Sequence, residues 1–420
     1  MFKSIKLGLS KNVLLVFLII LISLCHLTPL VYENYKAVTI ALWMLAIVYF
    51  VGAVKSGVSS ELEKMCVCGG IYIAIGLIYS VFGISDDKII RNMLFSLFVF
   101  PMLLLLLMDC KITKHNARLL FHAIALIAAV NILDNIRLSY IYPYIAMMSE
   151  EVLAEQGLSG LNAGGSPFIA MSVFYLAIIM IAFLNSTIKG EKIVLLIYAS
   201  VAIWFVVFCS YKASSIIYAI LTVSAMIILD KVKKVKTAVV VLVITGLLFL
   251  LFKDFIIHAL VNAIDDSRVG GRLLVFADDD LGEAHDNSLN GRMDLWQVSL
   301  NTWLASPVNF VFGIGDHYRS VIVSTSGTGI GNHSDFFDIL ARYGIIGGLV
   351  LFYMLKFFFD YMKRLVSGRL YLKVLIFFVL LVLFGFTKKI ILPSISIMIF
   401  ILVPLCLYIV KGNEKHRKPV

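Results

Sequence analysis

Long apolar runs, separated by short polar breaks, make up most of this chain. Such runs predict helices that cross a bilayer, not strands of alternating polarity. They place spans near 13–31, 37–54, 65–83, 89–108, 117–134, 167–185, 193–211, 213–229, 237–257, 337–359, 372–387 and 390–410. The expected fold is an all-α polytopic membrane protein with about 12 transmembrane helices and both chain ends on one side. A β-barrel is excluded, because its strands alternate apolar and polar residues. Asn131 and Asp134 interrupt the fifth run, and "GFTKKI" barely separates the last two.

The same pattern divides the chain into an N-terminal bundle, 1–257, a large outer loop with short helices, 258–336, and C-terminal spans, 337–420. A second outer segment is expected at 135–166. A loop as long as 258–336 is usually functional or a small domain. No internal repeat is visible, which argues against a transporter built of inverted repeats.

Composition agrees with this picture. Hydrophobic residues make up 61%, charged residues 15%, and the mean hydropathy is +0.97. A net charge of +10 would point a soluble protein toward nucleic acid. Here the cations cluster instead at alternate span ends, from Lys3, Lys6 and Lys11 through Lys231, Lys233, Lys234 and Lys236 to Lys411 and Lys415. Lys and Arg gather on the cytoplasmic side of membrane proteins, so both termini are expected inside and no nucleic acid is expected as a partner. The first span has no small-residue cleavage site after it and reads as uncleaved. The six cysteines fall in or beside apolar runs, where they pack; none stands in the large loop to build a disulfide framework.

Chemistry is sought where cations break the charge rule. Arg137, Lys212, Arg268, Arg272, Arg292, Arg319, Arg342, Lys388 and Lys389 fall on the outer face. Charges near span ends tend to hold an anion or to pair with an acid. Lys212 in "SYKAS" is the one charge between two apolar runs, either an anion-binding point charge or a snorkelling interface anchor. In 287–307, "NSLNGRMDLWQVSLNTWLASP", Arg292, Trp296, Ser299 and Trp303 recur at helical spacing and Pro307 stops the helix. Its two tryptophans suit a helix lying along the membrane surface. Arg292 at its start is placed either to meet an anion or to pair a loop acid.

In "GNHSDFFDILARYGIIGG", Asn332 is expected to cap a helix, with His333 in the first turn and Asp335 near the free N–H groups. Asp338 and Arg342, four apart, are expected to pair. Gly344 and Gly348 would let another helix approach closely. His333 reads either as a surface or capping histidine or as a group that takes a proton near neutral pH. Two look-alikes are set aside. The acidic "ADDDLGEAHDN", 277–287, matches no closed metal site, and no metal is expected. "GIGDHYRS", 313–320, lacks the Lys-Ser/Thr ending of a phosphate loop and reads as a tight turn.

Taken in order, "SYKAS", "GRMDLW", the "GIG" turn and "NHSDFFDILARYGIIGG" resemble the O-antigen polymerase and O-antigen ligase family, bacterial inner-membrane glycosyltransferases of the GT-C type. The chain has Lys212 where that family commonly has Arg, and Ser334 where it often has Asn. The motifs cover about residues 200 to 360; elsewhere the likeness is one of hydropathy. The resemblance implies an undecaprenyl-diphosphate-linked oligosaccharide as donor, a periplasmic active face, no cofactor and, for a polymerase, a chain-length regulator as partner. For such a donor, Lys212 and Arg292, with Arg268 or Arg272 among the outer-face cations, are assigned to the diphosphate, and Trp296, Arg319 and Arg137 to the substrate. His333 is the implied general base, with Asp335 orienting or replacing it. Polymerase and ligase need the same anion site, so the sequence leaves both open, with a lipid-linked sugar transporter as a third reading.

Overall fold

The computed structural model describes residues 11–28, 44, 60–82, 92–109, 111–142, 165–210, 213–231, 290–315, 329–331, 334–366 and 368–414. Among them there is no strand. The elements are α1 (Lys11–Leu27), α2 (Ser60–Val81), α3 (Leu94–Asp109), α4 (Lys114–Ile141), α5 (Gly165–Asn185), α6 (Lys189–Cys209) and α7 (Ala213–Lys231). After a gap come α8 (Asn290–Leu304), α9 (Pro307–Phe312), α10 (Asp335–Leu365) and α11 (Gly368–Thr387). The last run, Pro393–Ile397, Met398–Leu402 and Val403–Glu414, is taken together as α12. Among the described residues, 7 helices are long and apolar enough to cross a membrane. The protein is an all-α, multi-pass membrane protein. The span expected at 237–257 lies outside the described residues, as does that at 37–54 apart from Met44.

A helix satisfies its own backbone, which is why apolar runs fold this way in lipid. Lipid removes the hydrophobic drive between helices, so packing and interhelical hydrogen bonds decide the arrangement. α5 forms the centre, with 89% of its spanning window buried, packed by α6, α7 and α12. α2 lies along α10, which carries α8 and α9 on its first half. α11 closes against α7 and α10.

Two expectations are corrected. Asn131 and Asp134 do not interrupt the fifth span: α4 runs through them to Ile141, so 135–141 is helix and not outer loop. The polar groups find partners on their own helix or on α1, which offsets their cost. The Asn131 amide donates to the Leu27 carbonyl, Asn135 donates to the Asn131 carbonyl at 3.0 Å, and Asp134 pairs with Arg137 at 2.8 Å. Pro307 does more than stop a helix. α8 ends at Leu304, and Pro307 opens α9 behind Ser306, whose hydroxyl accepts the Asn309 N–H at 3.0 Å.

The two ends of the bundle differ. One carries a row of ion pairs, Glu61 with Arg364, Glu191 with Arg118 and Asp230 with Lys373 at 2.7 Å, and Glu191 also lies within hydrogen-bond distance, 3.3 Å, of His122. Arg369 adds a hydrogen bond to the Asp230 carbonyl at 3.1 Å. Lys373 is 1% exposed, so its charge depends on Asp230. Asp230→Ala should therefore lower stability by about 3–5 kcal/mol, while the double change Asp230→Ala with Lys373→Met should recover most of it. Thermal unfolding of the purified protein in detergent checks both.

Candidate functional site

At the opposite end, α10 begins inside a polar clasp. Ser334, not Asn332, is the cap: its hydroxyl accepts the Phe337 N–H at 3.3 Å and donates to the Gly385 carbonyl at 3.1 Å. His333 therefore precedes the helix instead of entering its first turn; Asn332 and His333 lie outside the described residues. Asp335, the first helical residue, is buried. Its Oδ2 accepts the N–H groups of Ile390 and of Ile391, the latter at 2.6 Å. Its own N–H donates to the Lys388 carbonyl at 3.4 Å. Residues 385–391, between the last two spans, are thus zipped onto the start of α10.

Rings fill the space around the clasp. Phe336 meets Phe386 edge-on at 4.9 Å, Phe337 meets Phe386 at 5.5 Å, and Trp296 of α8 lies 5.9 Å from Phe337. The Trp296 Nε1 is buried and meets no acceptor among the described residues. Ser299, one turn on, donates to Asp338 Oδ1 at 2.8 Å and accepts the Gly331 N–H at 2.9 Å. Asp338 and Arg342 are both buried and act on each other electrostatically, but the short hydrogen bond of Asp338 goes to Ser299. Lys389 acts on Asp338 as well, and Lys388 is buried with its Nζ 5.9 Å from the Phe384 ring centre. The chain is pinned on both sides of Asn332 and His333: at Gly331 by Ser299, and at Ser334 by Gly385.

The "GIG" turn completes the frame. Gly313 and Gly315 both have φ 74°. The N–H groups of Ile314 and Gly315 donate to the Ala341 and Arg342 carbonyls, each at 2.9 Å. Those carbonyls are released from the helix because α10 kinks at Gly344, φ 61° and ψ −162°. A side chain there would meet the Val311 carbonyl of α9 at 2.2 Å. The expected close approach of another helix is found at Gly344, which admits the loop helix α9, but not at Gly348, where a Cβ would meet the Leu340 side chain of α10 itself.

The elements that flank the expected site residues gather at this end. α6 ends at Cys209 and α7 opens at Ala213; Lys212 stands between them in sequence and lies outside the described residues. Tyr218, early in α7, packs 4.8 Å from Phe384, whose carbonyl accepts the Lys388 N–H at 2.7 Å. Arg292 is placed by its backbone in the first turn of α8. Arg137 is described in full: it is exposed and paired with Asp134 on its own helix. Arg268, Arg272 and Arg319 lie outside the described residues.

Residues 161–353 match the family model described as O-antigen ligase. The match runs from just before α5 to residue 353, past the middle of α10, so the motif resemblance is upheld over the region that bears the motifs. No curated protein matches the chain. The match ends before 385–391, so the segment that grips Asp335 comes from outside it.

Sequence reading missed Ser334 as the cap, Ser299 as the link between α8 and α10, and 385–391 as the grip. Only "TKK" between two apolar runs hinted at the last. Gly344→Ala should cost about 1–3 kcal/mol, because the kink needs a positive φ and touches Val311. Gly348→Ala should cost much less, because a side chain can move. Apparent melting temperatures of the two variants compare the costs.

Proposed function

We propose that the protein is a repeat-unit polymerase of the bacterial inner membrane, with both termini cytoplasmic and the clasp end at the periplasmic face. In this reading it transfers a growing glycan from undecaprenyl diphosphate onto a new lipid-linked repeat unit. The chief support is the family match over 161–353. The pinned frame on either side of Asn332 and His333 supports it further.

The chemistry asks for a basic group, preplaced cations and little else. An acceptor hydroxyl attacks the anomeric carbon of the donor sugar as the bond to the diphosphate oxygen breaks. The leaving diphosphate gains negative charge, which fixed cations stabilise. Lys212 and Arg292, with Arg268 and Arg272, are assigned to it, and Trp296, Arg319 and Arg137 to the glycan. His333 takes the proton from the attacking hydroxyl. Asp335 is assigned the orienting role, because its Oδ2 already holds two backbone N–H groups.

A second reading, ligation of the glycan onto lipid A–core, draws on the description of the matched model itself. The two readings share a donor and differ in acceptor. Purified protein in liposomes should convert a lipid-linked repeat unit into a ladder without any lipid A–core. Product formed only when lipid A–core is supplied would turn the assignment to ligase. His333→Ala should slow the reaction by about 10²–10⁴-fold while leaving the protein inserted; a wild-type ladder from that variant would remove His333 from the mechanism. Lys212→Ala should lower turnover by about 10²–10³-fold, with partial recovery in Lys212→Arg.

A further inference from the structure

The most exposed apolar side chains of the loop helices lie on one short stretch. Leu304 is 60% exposed, Val308 64% and Phe312 53%, and Phe310 is exposed beside them. Trp303 stacks on Phe310 at 4.9 Å and donates its indole N–H to the Phe310 carbonyl at 3.0 Å. Asn309 turns inward, donating to the Thr302 carbonyl at 3.1 Å. From Leu295 to Gly315 the sequence holds no Asp, Glu, Lys or Arg. A water-facing pair of helices in a polar loop would carry charge on its outer side. This one presents carbon, with a Trp at its edge, as segments in the headgroup region do.

The stretch is continuous with further exposed apolar surface on the spans expected to cross the bilayer. The Tyr79 hydroxyl, near the end of α2, donates to the Phe312 carbonyl. Val81 and Phe82, just beyond it, are 84% and 73% exposed. Past the kink at Gly344, where α9 rests, Ile346 and Leu349 of α10 are exposed as well.

We infer that the end of α8 together with α9 is a wedge seated in the interfacial layer of the bilayer, its occupant being lipid headgroup and upper acyl chain. The wedge runs into the "GIG" turn, held to α9 by the Gly313 N–H on the Asn309 carbonyl and to α10 by Ile314 and Gly315, and so sets that turn at a fixed depth beside the start of α10. Any lipid-borne substrate would then meet that frame at the height of its own headgroup. This goes beyond the proposed reaction and stands whatever the acceptor is.

The test uses the full chain in lipid nanodiscs, with Cys110 replaced by Ser, a nitroxide on Val308→Cys or Phe312→Cys, and the same label on Asp294→Cys or Asn301→Cys for comparison. The chain without an added cysteine gives the background from the buried native thiols, and melting temperature confirms each fold. Collision with dissolved oxygen should exceed collision with a water-soluble nickel chelate at 308 and 312, and the order should invert at 294 and 301. Labels at 308 and 312 that match 301 would mean water and overturn the inference. Labels shielded from both reagents would mean cover by another segment or a second copy, and would overturn it equally.

Discussion

One buried carboxylate organises the end of the bundle where the candidate site lies. A charge out of water is costly unless hydrogen bonds and opposite charges replace its solvation. Asp335 is offered two backbone N–H groups by Ile390 and Ile391, with Arg342 acting favourably and Asp338 unfavourably. The arrangement sets three things at once: where α10 starts, where 385–391 crosses it, and where the chain before Ser334 must arrive. Asp338 repeats the idea one turn later by taking the Ser299 hydroxyl, which brings α8 to the same place. Both acids thus hold the frame of the candidate site in place.

The kink at Gly344 solves a related problem. A straight helix would keep the Ala341 and Arg342 carbonyls for itself and leave the "GIG" turn without partners. Breaking the helix frees them, and the N–H groups of Ile314 and Gly315 take them. The half-helix from Asp335 to Tyr343 is thereby tied to loop helices, while the remainder continues along α2. Rigidity at such a place matters for transfer chemistry, where misplacement by an ångström lowers the rate steeply.

Much of the architecture was legible because membrane helices announce themselves by length and hydropathy. The boundaries of α5, α6 and α11 follow their apolar runs closely. The end of α4 did not, because Asn131 and Asp134 read as a break when their partners lie on a neighbouring helix or on their own. The motif stretches of the candidate site were readable as a set, which is why the order "SYKAS", "GRMDLW", "GIG" and "NHSDFF" led to the family. What could not be read was the clasp. Ser334 as a cap competes in sequence with Asn332, and nothing near Asp335 reveals that its partners stand more than fifty residues later.

The account therefore turns on the bond between Asp335 and the 390–391 backbone. Amide hydrogen exchange of the intact protein in nanodiscs tests it most directly, comparing wild type with Asp335→Ala. A hydrogen bond to a charged group contributes about 1.5–3 kcal/mol, so the Ile390 and Ile391 amides should exchange roughly 10- to 100-fold faster in the variant. Amides in the middle of α5 should keep their protection. Unchanged protection at Ile390 and Ile391 would contradict the account, because the grip on α10 would then lie elsewhere.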